Sequence, residues 1–324
     1  MTLTLDSIKK PIESELKEFE VIFRETMRSN VALLDRIMYY IAHRKGKQMR
    51  PMFVLLCAKI FGPINQSSYT AASLVELIHT ATLVHDDVVD DAEKRRGFFS
   101  INALWKNKIA VLVGDYLLSK GLVVALDQEE FQILKIINEA VKQMSEGELL
   151  QMAKSRKLDI KEDVYYEIIE KKTASFIAAA CKSGASTVIN DSQILDKVGE
   201  IGLNIGMAFQ IKDDLFDYGS GAIGKPTGID VKEKKMTLPL IHALGKASRS
   251  EKRHIISLVK NHGHERNKVR EVVNFAIEKG GMEYTIEKMN LYKNRALDLL
   301  VTLPSNESSQ ALESLIHFVT ERNK

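Results

Sequence analysis

The chain has few of the residues that stabilise small secreted proteins or bind zinc. Only two of its 324 residues are cysteines, Cys57 and Cys181, and they lie in separate apolar segments. Two thiols cannot form a disulfide framework, and the sequence has neither a Cys-x-x-Cys pair nor a His-Glu-x-x-His motif. We therefore expect two small buried thiols rather than a redox or zinc centre.

Proline is also scarce, and none of the six prolines lies between Ile64 and Lys225. Helix-forming residues at helical spacing fill this interval and predict long helices at 68–93, 100–126, 129–155, 161–183 and 192–218. Earlier helices are predicted at 5–27, 31–43 and 51–60, and four shorter amphipathic helices after Pro239. The prediction is an all-α protein in which residues 1–324 form a single domain.

Signals for membranes and for polyanionic partners are missing as well. The sequence has no run of roughly 18 or more consecutive apolar residues, and its first ten residues lack the apolar core of a signal peptide. The net charge of +3 comes from 46 basic and 43 acidic residues, and this near balance implies no bulk polyelectrolyte partner. We expect a cytoplasmic protein with no transmembrane segment and no nucleic-acid partner.

Two acidic clusters of the same form are the most informative feature that is present. Asp86-Asp87-Val88-Val89-Asp90 and Asp213-Asp214-Leu215-Phe216-Asp217 each end a long predicted helix. Like charges four residues apart share a helix face and repel by about 0.2–0.5 kcal/mol per pair. The two clusters therefore predict a bound cation, and Mg²⁺ is the foremost candidate because it prefers oxygen ligands.

Isolated basic residues accompany the acidic clusters. They are Lys47, Arg50, Arg95, Arg96, Lys172, Lys225 and Lys235. Arginine binds phosphate with two parallel hydrogen bonds and lysine binds it as a point charge, so this combination predicts a polyphosphate site. The sequence has no nucleotide-binding glycine motif. Residues 219–235, rich in Gly, Pro and Lys, are predicted to form a loop that closes over the site.

Together, in order, these motifs resemble the polyprenyl synthetase family of trans-isoprenyl diphosphate synthases over nearly the whole chain. The motifs are Gly46-Lys47-x-x-Arg50-Pro51, Glu76-Leu77-Ile78-His79, His85-Asp86-Asp87-x-x-Asp90 with Arg95-Arg96-Gly97, Gly147-Glu148-x-x-Gln151, Lys172-Thr173, Gln210-x-x-Asp213-Asp214-x-x-Asp217, and Gly224-Lys225-Pro226 through Lys235-Met236-Thr237-Leu238-Pro239. The resemblance implies a bundle of mostly antiparallel helices around a central cavity, assembled as a homodimer.

The resemblance also implies a role for each matching residue. Asp86, Asp90 and Asp213 would hold Mg²⁺, three ions per site, with Asp87, Asp214 and Asp217 completing the two metal motifs. The allylic diphosphate would contact Arg95, Lys172, Thr173, Gln210, Lys225 and Lys235, with Lys172 also counted as catalytic. Isopentenyl diphosphate would contact Lys47, Arg50, His79 and Arg96. Gln48 and Lys234 depart from the residues common at their positions in the family.

The expected reaction is head-to-tail condensation of isopentenyl diphosphate with an allylic diphosphate. Mg²⁺ and fixed cations would stabilise the departing diphosphate where negative charge develops. A dry apolar cavity would protect the carbocation from water. No strong general base is visible, and the family mechanism, in which the departing diphosphate removes the proton, does not need one.

The product is expected to be long. Ala81 and Thr82, five and four residues before Asp86, are small where aromatic residues limit family members to farnesyl length. One helical turn rises about 5.4 Å, so each larger residue one turn along should change the product by about one isoprene unit. We expect a C30–C50 product for a quinone side chain, with transient membrane contact at product release. Deeper tunnel candidates are Leu74, Leu77, Ile78 and Met144.

Three alternatives remain open at this point. A short-chain synthase that makes geranylgeranyl diphosphate shares all of these motifs. A terpene cyclase shares the first acidic motif but usually carries a different second one. A noncatalytic subunit of a heteromeric synthase would be expected to have a damaged acidic motif, and both motifs here are intact.

Overall fold

The computed structural model describes residues 4–43, 48–95, 97–155, 158, 160–219 and 228–321. Helices dominate these residues, and the predicted all-α class is confirmed. Three predicted site residues, Lys47, Arg96 and Lys225, lie outside the described residues.

The first part of the chain contains eight α-helices and one 3₁₀ turn in its described residues. They are α1 (Leu5–Lys9), a 3₁₀ turn (Lys10–Ile12), α2 (Glu13–Thr26), α3 (Ala32–Ala42), α4 (Met49–Phe61), α5 (Gln66–Val89), α6 (Ile101–Trp105), α7 (Asn107–Asp127) and α8 (Phe131–Ser155). A two-stranded antiparallel hairpin, β1 (Lys94–Arg95) and β2 (Phe98–Phe99), lies between α5 and α6.

The second part is helical throughout its described residues. It contains α9 (Glu162–Ile169), a π-helical turn (Glu170–Ala174), α10 (Ser175–Ser186), α11 (Ser192–Phe216), α12 (Ile229–Lys232), α13 (Leu238–Lys246), α14 (Arg249–Asn261), α15 (Arg266–Glu278), α16 (Gly281–Leu300) and α17 (Glu307–Glu321).

The chain forms two compact units. The first unit comprises Met1–Val141, Ala179–Val198 and Leu303–Leu312, and the second comprises Lys142–Ala178, Gly199–Thr302 and Glu313–Lys324. A single domain over residues 1–324 stays a prediction.

In the first unit, α7 packs closely against α5. A Cβ atom added at Gly114 would lie 2.1 Å from Nε2 of His85, and one at Gly121 would lie 2.9 Å from Cδ1 of Leu74. A side chain at Gly114 would displace the ring of His85, and one at Gly121 would displace the end of the Leu74 side chain. Close packing of this kind fixes the helix that carries the first acidic cluster.

Both thiols are buried in the first unit, as the sequence predicted. Cys57 lies on α4 and Cys181 on α10, and burial together with their mutual contact raises the pKa of the Cys181 thiol. Both are therefore small buried core residues.

In the second unit, α11 lies in a core that it shares with α9, α13 and α15. Buried members include Ile211 and Leu215 of α11, Leu240 of α13 and Val272 of α15. The hydroxyls of Tyr218 and Thr237 lie 2.8 Å apart within this core, just after α11 and just before α13. The end of α11, which carries the second acidic cluster, is therefore held both by core packing and by the Tyr218–Thr237 hydrogen bond.

Several predicted element boundaries were wrong. The helix expected at 161–183 is interrupted by the π turn, and the expected loop at 219–235 contains α12, while residues 220–227 lie outside the described part. The described region after Pro239 holds five helices instead of four, because Asn306 accepts the backbone N–H groups of Ser308 and Ser309 and starts α17 separately from α16.

Among the described residues, α7 is the one helix long and apolar enough to cross a membrane by length and composition. One third of its most apolar window is buried in the protein. Such a helix is weak evidence for a membrane span, because core helices of other proteins pass the same test.

Candidate active site

The first acidic cluster lies at the carboxyl end of α5. Asp86 and Asp87 occupy its last turn and Asp90 caps it, with the backbone N–H of Asp90 donating to the carbonyl of Asp86 (2.8 Å). The carboxyl end of a helix carries partial negative charge, so acidic side chains are unfavourable there unless a cation is close. A nearby positive charge would therefore stabilise the cluster, both because its residues are acidic and because they lie at this end of the helix.

One of these three carboxylates already has a positively charged partner. The guanidinium Nε of Arg95 on β1 donates to Oδ1 of the buried Asp87 (2.6 Å). The turn between the strands includes Gly97 in the left-handed region (φ 82°), which a glycine adopts without strain. Arg95 thus ties the hairpin to α5, and Asp86 and Asp90 are the more accessible carboxylates of the cluster.

Other predicted residues share the face of α5 that carries the cluster. At about 100° per residue, His79 and Thr82 fall within about 40° of Asp86 around the helix. His79 is buried, and the Thr82 hydroxyl donates to the carbonyl of His79 (2.8 Å). Ala81 instead lies about 140° away and belongs to the apolar cluster between α5 and α7.

Arg50 lies in the first turn of α4. The preceding Gln48 adopts a left-handed conformation (φ 51°), and its side-chain amide donates to Oε1 of Glu20 on α2 (3.1 Å). A glutamine at this position, one of the two departures from the family pattern, therefore anchors the start of the helix that carries Arg50.

The second acidic cluster lies at the carboxyl end of α11. Asp213 and Asp214 occupy its last turn, and Asp217 follows it. Asp214 is buried, and it accepts hydrogen bonds from the Tyr165 hydroxyl (2.7 Å) and from Nε2 of Gln210 (3.3 Å). Burial nevertheless raises the pKa of Asp214 to about 7, with the charges of Asp230 and Asp213 acting in the same direction.

The side chain of Asp217 organises part of the backbone within the predicted loop. Its two carboxylate oxygens accept the backbone N–H groups of Ile229 (2.7 Å) and Asp230 (3.0 Å), at the start of α12. Burial raises its pKa while these bonds act against the rise. The structure gives Asp217 this local role, and its predicted part in metal binding stays a prediction.

Asp230 is a candidate that the motifs missed. It lines the same cavity as Asp214, and its pKa is raised to about 7 by burial and by the charge of Asp217. Asp230 lies outside both Asp-Asp-x-x-Asp units. Its position in a lysine-rich segment, five residues before Lys235, was the sequence signal that could have identified it.

A cavity of about 130 Å³ in the second unit brings five predicted residues together. They are Lys172, Thr173, Gln210, Asp214 and Lys235. The wall also includes Gln151, Tyr165 and the apolar side chains of Ile168, Ile169 and Met236. Cationic and amide donors thus meet an apolar wall in one place, as a diphosphate with a hydrocarbon tail would require.

The π turn sets the direction of Lys172 and Thr173. A single π turn inside a longer helix is often found at functional sites. A Cβ atom added at Gly147 on α8 would lie 2.8 Å from the backbone nitrogen of Lys172, so α8 passes directly against this turn. Only a glycine at position 147 allows that approach without displacement.

Both cavity lysines pair with acidic side chains. Lys172 pairs with Glu148 and donates to Oε1 of Gln151 (2.9 Å). Lys235 pairs with Glu233 (2.5 Å). A bound diphosphate would compete with these carboxylates for the two ammonium groups.

The donor chemistry fits a hard divalent cation. Each cluster places several carboxylates at the negative end of a helix, and burial raises the pKa of both Asp214 and Asp230, although the charge of Lys235 acts against the rise at Asp230. No three acidic, histidine or cysteine side chains of the described residues come together as a complete metal centre. An ion held here would therefore take further ligands from substrate or water.

The sequence is similar to those of proteins of known function. The octaprenyl diphosphate synthase of Escherichia coli (strain K12) is 32% identical over 324 residues, which is 99% of this chain and 100% of that protein. A short chain isoprenyl diphosphate synthase of Methanothermobacter thermautotrophicus is 33% identical over 319 residues, covering 95% of this chain and 97% of that protein.

Solved structures share the fold as well. A decaprenyl diphosphate synthase from Rhodobacter capsulatus superposes with a TM-score of 0.93 at 33% identity, over 99% of this chain and all of that one. A polyprenyl synthase from Caulobacter crescentus CB15, complexed with calcium and isoprenyl diphosphate, gives 0.90 at 31% identity, over 99% and 98% of the two chains.

The family model for polyprenyl synthetase matches residues 31–276. That range includes both acidic clusters and every predicted site residue. The chain is an enzyme, a prenyltransferase, and it belongs to the polyprenyl synthetase family.

Proposed function

We propose that this enzyme is a Mg²⁺-dependent trans-polyprenyl diphosphate synthase, which condenses isopentenyl diphosphate head-to-tail with an allylic diphosphate such as farnesyl diphosphate. The observation that carries the proposal is the cavity of the second unit, where Lys172 and Lys235 lie with Asp214 beside an apolar wall. A site of this composition can bind a diphosphate group and shield its hydrocarbon neighbour from water.

Asp86, Asp90 and Asp213 are the residues that would hold Mg²⁺, with Asp87, Asp214 and Asp217 supporting them. The ions, three in the proposed site, supply positive charge to the leaving diphosphate when bound. Asp86 and Asp90 share a helix face and are the accessible members of their cluster, so they suit direct ligation. Asp214, which already accepts two side-chain donors, suits an indirect role.

The basic residues would bind and orient the two substrates. Lys172, Thr173, Gln210 and Lys235, with Arg95 and Lys225, would contact the allylic diphosphate, and Lys172 would leave Glu148 to do so. Arg50 and His79, with Lys47 and Arg96, would hold isopentenyl diphosphate. Holding both reactants in position makes the new carbon–carbon bond an effectively unimolecular step.

A long product, C30–C50 and destined for a quinone side chain, is the finer part of the proposal. It is supported by the small residues at positions 81 and 82 and by the likeness to synthases named octaprenyl and decaprenyl. Thr82 shares the face of Asp86, whereas Ala81 is packed in an apolar cluster. Thr82→Phe should therefore shorten the product at less cost to stability than Ala81→Phe.

A short-chain product is the second candidate, because the match to a short chain isoprenyl diphosphate synthase is equally extensive. The experiment that separates the two is chromatography of the products made by the purified chain from farnesyl diphosphate, labelled isopentenyl diphosphate and Mg²⁺. The long-chain proposal predicts a main product of C30 or longer. A main product of C20 or shorter would contradict it, and no product at all would contradict the synthase itself.

We propose that the enzyme acts in the cytoplasm as a homodimer, and α7 offers the surface for the second copy. The exposed apolar residues of this helix, Val111, Leu112, Leu122, Val123 and Leu126, fall within an arc of about 120°. The opposite face packs against α5, so the exposed arc is an apolar surface that the described residues of one chain leave uncovered. Light scattering should give twice the chain mass, and Leu122→Glu with Leu126→Glu should give one chain mass.

A further inference from the structure

A buried tyrosine hydroxyl at the cavity is not explained by any of the family motifs. Tyr165 lies on α9, seven residues before Lys172, and its side chain is almost entirely buried. We propose that Tyr165 is a positioning residue that holds the Asp214 carboxylate in one orientation, an inference that rests on the proposed prenyl transfer.

Tyr165 supplies one of the two side-chain donors that the buried Asp214 carboxylate receives. The Tyr165 hydroxyl donates to Oδ2 at 2.7 Å, and Nε2 of Gln210 donates to Oδ1 at 3.3 Å. The tyrosine bond is the shorter and the one from a different helix. It therefore contributes more to fixing the rotation of the carboxylate than the bond within α11 does.

The direction of this hydroxyl is set by the packing of its ring. Tyr165 belongs to the core of the second unit, and its ring meets that of Tyr166 edge to face, with centroids 5.4 Å apart. A packed aromatic ring has few rotamers, unlike a serine or threonine side chain. In this bond the Tyr165 hydroxyl donates and the carboxylate oxygen of Asp214 accepts.

Through Asp214 the tyrosine also orients groups that face the diphosphate. The Nε2 of Gln210 is directed at Asp214, which leaves Oε1 to accept the Thr173 hydroxyl (3.0 Å). Tyr165, Asp214, Gln210 and Thr173 thus form one hydrogen-bonded chain along the cavity wall. Without the tyrosine hydroxyl, the carboxylate is able to turn toward the cavity lysines and compete with a bound diphosphate.

The test compares Tyr165→Phe with Tyr166→Phe. The second variant removes the neighbouring hydroxyl, which donates to Glu162 (3.1 Å) and does not line the cavity. Tyr165→Phe should lower kcat/KM for the allylic diphosphate and weaken calorimetric binding of Mg²⁺ with inorganic diphosphate, each about tenfold or more, because the lost bond has a charged acceptor. KM for isopentenyl diphosphate should not change, and Tyr166→Phe should match the wild type in all three.

A double-variant cycle and a crystal structure separate positioning from general destabilisation. In an Asp214→Asn background, Tyr165→Phe should add little further loss, because the two residues act as a pair. The crystal structure of Tyr165→Phe should show the Asp214 carboxylate rotated from its present position. Full additivity, an unmoved carboxylate, or equal losses in Tyr165→Phe and Tyr166→Phe would each overturn the proposal.

The wild-type activity assay tests the proposed function, and the crystal structure of Tyr165→Phe tests the positioning role separately. A wild-type chain that makes no prenyl diphosphate refutes the function, whereas the orientation of Asp214 in the crystal structure needs no turnover to be read.

Discussion

The two acidic clusters have the same sequence pattern and different surroundings. Both lie at the carboxyl ends of long helices, α5 and α11, where acidic side chains are unfavourable. Their second aspartates, Asp87 and Asp214, are both buried. Asp87 is paired with the guanidinium of Arg95, whereas among the described residues the side-chain donors to Asp214 are the uncharged Tyr165 and Gln210.

The Asp-Asp-x-x-Asp pattern therefore places the carboxylates at helix ends, and the side chains that contact each carboxylate determine its role. In the first cluster an internal cation neutralises the buried carboxylate and the outer pair stays accessible. In the second cluster burial raises the pKa of Asp214, and Asp230 adds further negative charge that Lys235 offsets only in part. The second cluster therefore depends more on an added cation.

The largest effect should come from removing the carboxylates that are proposed to hold metal in each cluster. Asp86→Asn and Asp213→Asn should each lower kcat by roughly 10²–10³-fold, because both would weaken the charge that stabilises the leaving group. Steady-state kinetics at saturating Mg²⁺ measures this loss.

The control is Asp91→Asn. Asp91 is exposed, next to the first cluster, and in a left-handed conformation (φ 50°) that asparagine also adopts. Its activity should equal the wild type. If only one of the two variants lost activity, the proposal that both clusters ligate metal would be wrong.

A smaller effect should follow from disturbing the wall of the second cluster's cavity. Gly147→Ala would press a methyl group against the backbone of Lys172, shifting the π turn and lowering kcat/KM for the allylic diphosphate about tenfold or more. Overpacking should also reduce the free energy of unfolding by about 1–3 kcal/mol, measured by urea denaturation.

Gly245→Ala is the matched control, because a Cβ atom there meets nothing within 4 Å. It should leave kinetics unchanged and stabilise α13 by up to about 1 kcal/mol. Equal kinetics for the two alanine variants would show that the π turn does not depend on Gly147.

The smallest effect is on stability and is the most specific test of the difference between the clusters. In metal-free protein, Asp230→Asn and Asp87→Asn should change the free energy of unfolding in opposite directions. Asp230 has a pKa raised to about 7 from a usual value of 3.8, so its ionisation opposes folding. Stability should fall as pH rises from about 4 through 7, and Asp230→Asn should reduce that fall. At pH 8 this variant should be more stable by about 1–2 kcal/mol, after allowance for solvent screening.

Asp87→Asn should act in the other direction, because it leaves Arg95 without its carboxylate partner. We expect a loss of about 1–3 kcal/mol at pH 8, measured by thermal or urea unfolding with a chelator present. If both variants destabilised the protein equally, the proposed electrostatic contrast between the clusters would be wrong.

Much of this arrangement could be predicted from local sequence. Helical periodicity and the positions of the aspartates placed both clusters at helix ends, and the motif residues Lys172, Thr173, Gln210, Asp214 and Lys235 do meet at one cavity. These features depend on short-range spacing, which a sequence displays directly.

The missed features depend on contacts between distant segments. The π turn at Lys172 accompanies the approach of Gly147, twenty-five positions earlier, and α12 starts where Asp217 caps it across the predicted loop. Asp230 enters the cavity because of that cap. Tyr165 could not be assigned from its sequence position alone, since a tyrosine on an apolar helix face is equally typical of an ordinary core.

The measurement that tests the account most directly is the rate of prenyl transfer by the purified wild-type chain as Mg²⁺ is removed and returned. With farnesyl and isopentenyl diphosphates at pH 8, the account predicts no turnover in excess chelator and full recovery when Mg²⁺ is added back. Undiminished turnover in the chelator would contradict it, because the two acidic clusters would then do their work without the cation that their placement demands.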